Sequence, residues 1–116
     1  MSSEPIPCRY YHLINNGIGI KIWPDLRDAN DHSSLLWEGR NHDGFGLNIG
    51  GDETVDLSIV DMAPGTLFIL SENTLFGTDM WETNQVFSYD PTSTVTVNAV
   101  RSGGVDDGSL TYTGMT

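Results

Sequence analysis

The chain has 116 residues, with 16 Asp and Glu against five Lys and Arg and a net charge of -11. That length fits one domain able to hide roughly 65 % of its unfolded surface, and that charge repels polyanions, which excludes nucleic acid and anionic membranes as expected partners. A single cysteine, Cys8, excludes the intramolecular disulfide framework of small secreted domains.

The N-terminal stretch MSSEPIPCRYYHLINN has no basic region followed by an apolar run. Nowhere does the sequence approach the about 18 consecutive apolar residues that a membrane-spanning helix needs, so a soluble, cytoplasmic protein is expected. Apolar residues then recur at every second position inside short segments, which is the period of strands. Strands are expected at Arg9–Ile14, Gly17–Trp23, Gly44–Ile49, Leu57–Val60, Thr66–Leu70, Gln85–Tyr89, Thr94–Val100 and Ser109–Thr113. Asn15-Asn16-Gly17, Gly50-Gly51-Asp52, Pro64-Gly65, Asp90-Pro91 and Gly103-Gly104 supply the turns between them. One short helical turn is expected within Asp28–Trp37, capped by Asn30 or Asp31. The acidic stretch Asn41–Glu53 superficially fits an EF-hand. Setting Gly44 as its turn glycine puts Gly50 at the twelfth position, where a carboxylate is required, so the stretch reads as a hairpin. Asp106-Asp107-Gly108 reads as a second hairpin turn. These elements predict an all-β sandwich forming a single domain over residues 1–116.

Ile20–Asp25 (IKIWPD) aligns with Leu67–Glu72 (LFILSE), matching apolar, any, Ile, large apolar, small or Pro, and acid. Each segment is followed at a distance by a hydroxyl-bearing strand, Asp56–Val60 (DLSIV) and Ser93–Val97 (STVTV), as two copies of one hairpin-based unit would be. At these residues the sequence resembles the βγ-crystallin superfamily, whose motif opens with an aromatic residue, then six residues, then Gly, and later carries a Ser. Within Ser58–Gly77, Leu70 falls at the aromatic position and Gly77 at the Gly. In the first half Trp23 supplies the aromatic and Asn30 stands at the Gly, Asn being the next most tolerant residue for positive φ. The resemblance spans Gly17 to Val97 and implies two Greek-key motifs packed as a βγ-crystallin-like sandwich. Motif one would cover residues 9–60 and motif two 61–100, with a C-terminal extension over 101–116. It also implies Ile22, Trp23, Leu67, Ile69, Leu70 and Val95 as core residues. An acidic, cysteine-poor domain of this kind is similar to a fungal member of the superfamily.

The resemblance makes calcium the cofactor to consider, through the pattern [ND]-[ND]-x-x-[ST]-S. In Tyr89–Thr94 (YDPTST) Tyr89 replaces the first acid or amide, leaving Asp90 and Ser93 as ligands. In Asp52–Ser58 (DETVDLS) the candidates are Asp52, Glu53, Asp56 and Ser58, but the turn is one residue too long and Leu57 takes a hydroxyl position. Calcium needs six to eight oxygens, so the expectation is no cofactor, or weakly bound calcium. No catalytic residue is expected. His12, His32 and His42 lack zinc-site spacing, no nucleophile or phosphate-loop motif occurs, and nothing in the local sequence marks Cys8 as a nucleophile. Trp37 and Trp81, beside Glu38 and Glu82, are the candidates for an exposed binding surface. The sequence therefore points to a non-enzymatic, crystallin-like structural protein. The alternative is a carbohydrate-binding or protease-inhibiting module on the same fold. Self-association and the identity of a protein or glycan partner stay open.

Overall fold

The computed structural model describes residues 4–17, 21–41, 46–74, 79–81, 85–104 and 108–116, with the backbone alone at residues 41 and 79–81. The strands are β1 (Ile6–Cys8), β2 (Tyr10–Gly17), β3 (Ile22–Asp28), β4 (Asp31–Glu38), β5 (Asp52–Asp56), β6 (Leu67–Thr74), β7 (Asp79–Trp81), β8 (Phe87–Tyr89), β9 (Thr96–Gly103) and β10 (Ser109–Met115). Two sheets form a sandwich. The first has the order β1-β8-β6-β3-β4, with β7 also alongside β6, and the second has the order β10-β9-β2-β5.

Alternation decides what each strand puts between the sheets. From the second sheet, Tyr11, Leu13, Val55, Val97 and Ala99 point inward, and from the first Ile22, Leu26, Phe68, Leu70 and Phe87 meet them in one hydrophobic cluster. Within it Phe87 lies tilted at 5.8 Å to Phe68 and edge-on at 5.1 Å to Tyr112 of β10. The two segments aligned in the sequence, so far as they are described, belong to the adjacent antiparallel central strands β3 and β6, with Pro24 opposite Glu72 and Asp25 opposite Ser71. β3 is followed by its antiparallel neighbour β4 and then by β5 of the second sheet, while β6 is followed by β7 and β8, both antiparallel to it, and then by β9 of the second sheet. β2 lies between the two returning strands, antiparallel to β5 and parallel to β9.

Several expectations need correction. Asp28–Trp37 forms most of strand β4 rather than a helical turn, because β3 offers it a ladder and Asp28 Oδ1 accepts from the Asn30 N–H at 2.8 Å to turn the chain back. Asn30 does not take the left-handed conformation, since no non-Gly residue among those described has positive φ. Leu57–Val60 is not a strand. Asp56 caps a 3-10 turn over Leu57–Ile59 by accepting from Ser58 N, which buries Leu57. Trp23 lies half-buried outside the core cluster, because its neighbours Ile22 and Pro24 take the inward positions of β3. Residues 18–20 and 44–45 of two expected strands, Gly77, and Asp106 and Asp107 of the expected second hairpin turn lie outside the described residues; Leu47 makes a lone bridge to Ile22.

Candidate functional site

At one end of the sandwich Arg9, immediately before β2, ties together the two stretches that carry the calcium candidates. Its Nε and Nη2 each donate to a carboxylate oxygen of Asp56 at 3.0 Å, and Nη1 donates to the Pro91 carbonyl at 3.2 Å. Its backbone is fixed as well, with Arg9 N donating to Val95 O and Leu57 N to Arg9 O. This two-pronged pair is the strong geometry for guanidinium and carboxylate. Asp56 is held down at about 2, chiefly by the Arg9 hydrogen bond and further by the Ser58 amide and hydroxyl.

The remaining candidates are engaged locally. Asp90 accepts from Thr92 N at 2.9 Å and Thr92 Oγ1 at 2.7 Å, which lowers its pKa, the hydroxyl being the largest cause. Ser93 Oγ accepts from Val95 N, and Ser58 sits in the 3-10 turn. Asp52 lies 2.7 Å from His12 Nε2, while His12 Nδ1 lies 2.9 Å from Asn98 Oδ1. Asp52 and Asp56 are the two ends of an extended strand, separated by roughly 13 Å at the rise of a β-strand, too far to share one cation. Glu53 alternates to the opposite face from both. Among the described residues no group of three or more His, Cys, Asp or Glu could hold a metal ion.

The binding-surface candidates part company. Trp37 is 7 % exposed and belongs to the hydrophobic core, which corrects its assignment to the surface. It lies near the end of β4, opposite Leu26, where the sheet folds it inward. The backbone of Trp81 pairs with Ser71, and its side chain lies outside the described residues. A half-buried aromatic cluster lies instead at Trp23. Lys21 Nζ lies 5.4 Å and the Arg40 guanidinium 4.9 Å from the ring centroid. Arg40 also donates to Asn73 Oδ1 and Thr74 O, and Asn73 donates to Glu38.

Sequence reasoning missed a third cluster, inside the sandwich. Arg101 and Glu72 are fully buried and paired across the sheets, with Nε donating to Oε1 at 2.9 Å. The guanidinium also donates to the carbonyls of Ser102 and Gly103 at the end of β9 and of Gly104 just after it. Tyr11 Oη donates to Ser71 O at 2.9 Å beside them. Burial pushes the Tyr11 phenol well above its usual value, with the charges of Glu72 and Asp25 adding to it. Arg101 was foreshadowed by the alternation Val97, Ala99, Arg101, and Asp25 and Glu72 were the matched acids of the repeat. Cys8 is buried, and burial followed by the Asp90 charge raises its thiol to about 12, so it carries no thiolate near neutral pH.

No protein-family model, no curated protein and no solved structure matches the chain.

Proposed function

We propose that this chain is a non-enzymatic, crystallin-like structural protein whose fold is held at the calcium-candidate end by its own guanidinium, with no need of a metal. The observation that carries the reading is the Arg9 bridge from Asp56 to Pro91, which puts a fixed positive charge between the acidic end of β5 and the Asp90-Pro91 turn. A cation supplied by the chain leaves those oxygens committed, so calcium affinity is weak or lost. The similar courses β3-β4-β5 and β6-β7-β8-β9, each leaving a central strand of the first sheet for an antiparallel neighbour and then crossing to the second sheet, support the finer reading of two related motifs, of Greek-key type, with β7 as an addition in the second. The non-enzymatic part rests on chemistry. His12 uses both ring nitrogens on Asn98 and Asp52, and the Cys8 thiol is buried and neutral. The proposal includes a cytoplasmic setting and no nucleic-acid or membrane partner, in keeping with the charge of -11 and a lone thiol. No helix among the described residues is long and apolar enough to cross a membrane.

Thermal melting with and without calcium tests this. The native protein is expected to melt at the same temperature in both, and Arg9→Gln to melt lower. A strong calcium-dependent rise in the native protein overturns the reading, because a ligand of the folded state must stabilise it.

A second reading is favoured by the Trp23 cluster. Lys21 and Arg40 flank one half-buried indole in an otherwise acidic molecule, an arrangement suited to a glycan bearing carboxylate or sulfate groups. An array containing acidic glycans and a protease panel, both blank, would remove the binding-module alternative.

A further inference from the structure

The sequence holds a single Asn-Gly pair, Asn16-Gly17, and it closes β2. In such a pair the backbone nitrogen of the glycine can attack the side-chain carbonyl carbon before it, because no Cβ stands in the way. Asn16 is exposed, and its amide has no hydrogen-bond partner among the described residues. The architecture fixes the glycine. A Cβ at Gly17 would lie 3.0 Å from the carbonyl oxygen of Gly103, which faces it in the parallel ladder, and 3.2 Å from Asn15 Oδ1. That carbonyl is itself held by Arg101 Nη1 at 3.1 Å, so a larger residue would press on an anchored strand end.

Asn15 restrains this pair. It is buried at an inward position of β2, with Oδ1 accepting from Gly17 N at 3.0 Å and Nδ2 donating to Leu47 O at 3.0 Å. Its backbone is fixed as well, the N–H donating to Gly51 O at 2.9 Å and the carbonyl accepting from Gly50 N at 2.8 Å, so Oδ1 is a rigid acceptor. The nucleophile is Gly17 N after loss of its proton, and a proton committed to a buried oxygen is withheld from water. Along a strand the side chains stand off the sheet while the N–H groups lie within it. Asn16 Cγ and Gly17 N therefore come together only when the end of β2 turns out of the ladder.

We infer that Asn16 is a self-modification site of the folded chain, deamidating at a rate set by the side chain of Asn15. The step begins when the end of β2 opens and Gly17 N gives its proton to hydroxide. Gly17 N then bonds to Asn16 Cγ, the Cγ–Nδ2 bond breaks, and Nδ2 takes a proton from water and leaves as ammonia, which produces a cyclic imide. Water adds to either imide carbonyl and opens the ring, giving aspartate or isoaspartate at position 16. Either product adds a negative charge to the -11 of the chain. Isoaspartate also inserts a methylene into the main chain where β2 faces Ser102 and Gly103, two of the residues whose carbonyls hold Arg101.

Incubation of the full chain in mildly alkaline buffer, followed by peptide mapping with mass spectrometry and enzymatic detection of isoaspartate, is the experiment. The expected result is product at position 16 before any other asparagine is converted. Asn15→Ala should raise the rate about three- to tenfold, the range for one lost hydrogen bond. Asn16→Gln should end the reaction at this position and keep the native melt. Should Asn15→Ala not fold, the native chain gives the answer alone. Unfolding in urea should then accelerate the modification by about the factor that protects the Gly17 amide from hydrogen exchange, because both reactions need the same local opening. An intact Asn16 while other asparagines are converted overturns the proposal. So does a folded Asn15→Ala chain that reacts at the native rate, or an acceleration in urea that does not follow the protection of Gly17.

Discussion

Arg101 shows how much one side chain can commit a β-sandwich to its shape. Its guanidinium has no access to water, and a buried charge is tolerated only when its partners are in place. Arg101→Met should cost about 3–5 kcal/mol in urea denaturation, because it strands the Glu72 carboxylate in the core. Arg101→Met with Glu72→Leu should recover a large part of that loss, and the double-mutant cycle reads the coupling directly. Gly108 belongs to the same unit, since a Cβ there would strike the Arg101 guanidinium. That head is clamped by Glu72 and three carbonyls and cannot swing aside, so Gly108→Ala should cost about 1–3 kcal/mol by overpacking. The expected strand stops at Val100, one residue short; continued along β9, its alternation puts Arg101 inward, but nothing local marks Glu72 as its partner, 29 residues away. Arg9 was hidden for a related reason. Sequence patterns mark acids as cation ligands and are silent on which arginine of the chain reaches them.

For the elements, periodicity was a good guide to existence and a poor one to ends. β2, β6, β9 and β10 were each legible from their alternation, and each runs beyond its expected C-terminal end, β6 as far as Thr74. Burial on both faces explains that case. Ser71, Glu72, Asn73 and Thr74 are polar yet buried, so the strand continues where hydropathy stops. β4 was missed outright because Asp31, Ser33 and Ser34 suit caps and turns, while pairing with β3 overrode that local preference. The close of that hairpin is tight. A Cβ on Gly39, just past β4, would lie 2.5 Å from the Pro24 carbonyl of β3. Gly39→Ala should therefore destabilise by about 1–3 kcal/mol in a chemical melt and spread the hairpin, visible as faster amide exchange along β4.

Across the molecule, the sign of each perturbed group fixes where in pH the fold is safest. Asp56 titrates at about 2 when folded, against about 3.9 in an unfolded chain, and Asp31 and Asp90 are lowered too. Depressed carboxylates contribute stability that is full above the unfolded value and lost as pH falls through the folded one. Acid unfolding should therefore set in below about pH 4 and deepen toward pH 2, with solvent screening keeping the Asp56 share modest. Arg9→Gln should flatten this limb. Cys8 and Tyr11 are raised, so the neutral forms are favoured in the fold, and stability should fall again as pH rises through 9.0 and 10.0, their unperturbed values. Circular dichroism melts across pH should show a plateau between these limits. Self-repulsion at -11 predicts that added salt raises the plateau.

The parallel ladder of β2 with β9 also governs when the molecule can be finished. His12 and Asn98 face each other across 86 residues, so the first long strand to be synthesised waits for nearly the last before its sheet can close. Until then the inward faces of β2 and β5 are an exposed hairpin-like remnant, and the loop-closure entropy falls due late. Refolding in a stopped-flow experiment should be slow, in milliseconds to seconds, as for other folds dominated by distant pairings. A chain cut after β8 should fail to make the second sheet, however intact its first half. The order of synthesis thus becomes a property of the architecture, and the last quarter of the sequence acts as the latch on the first.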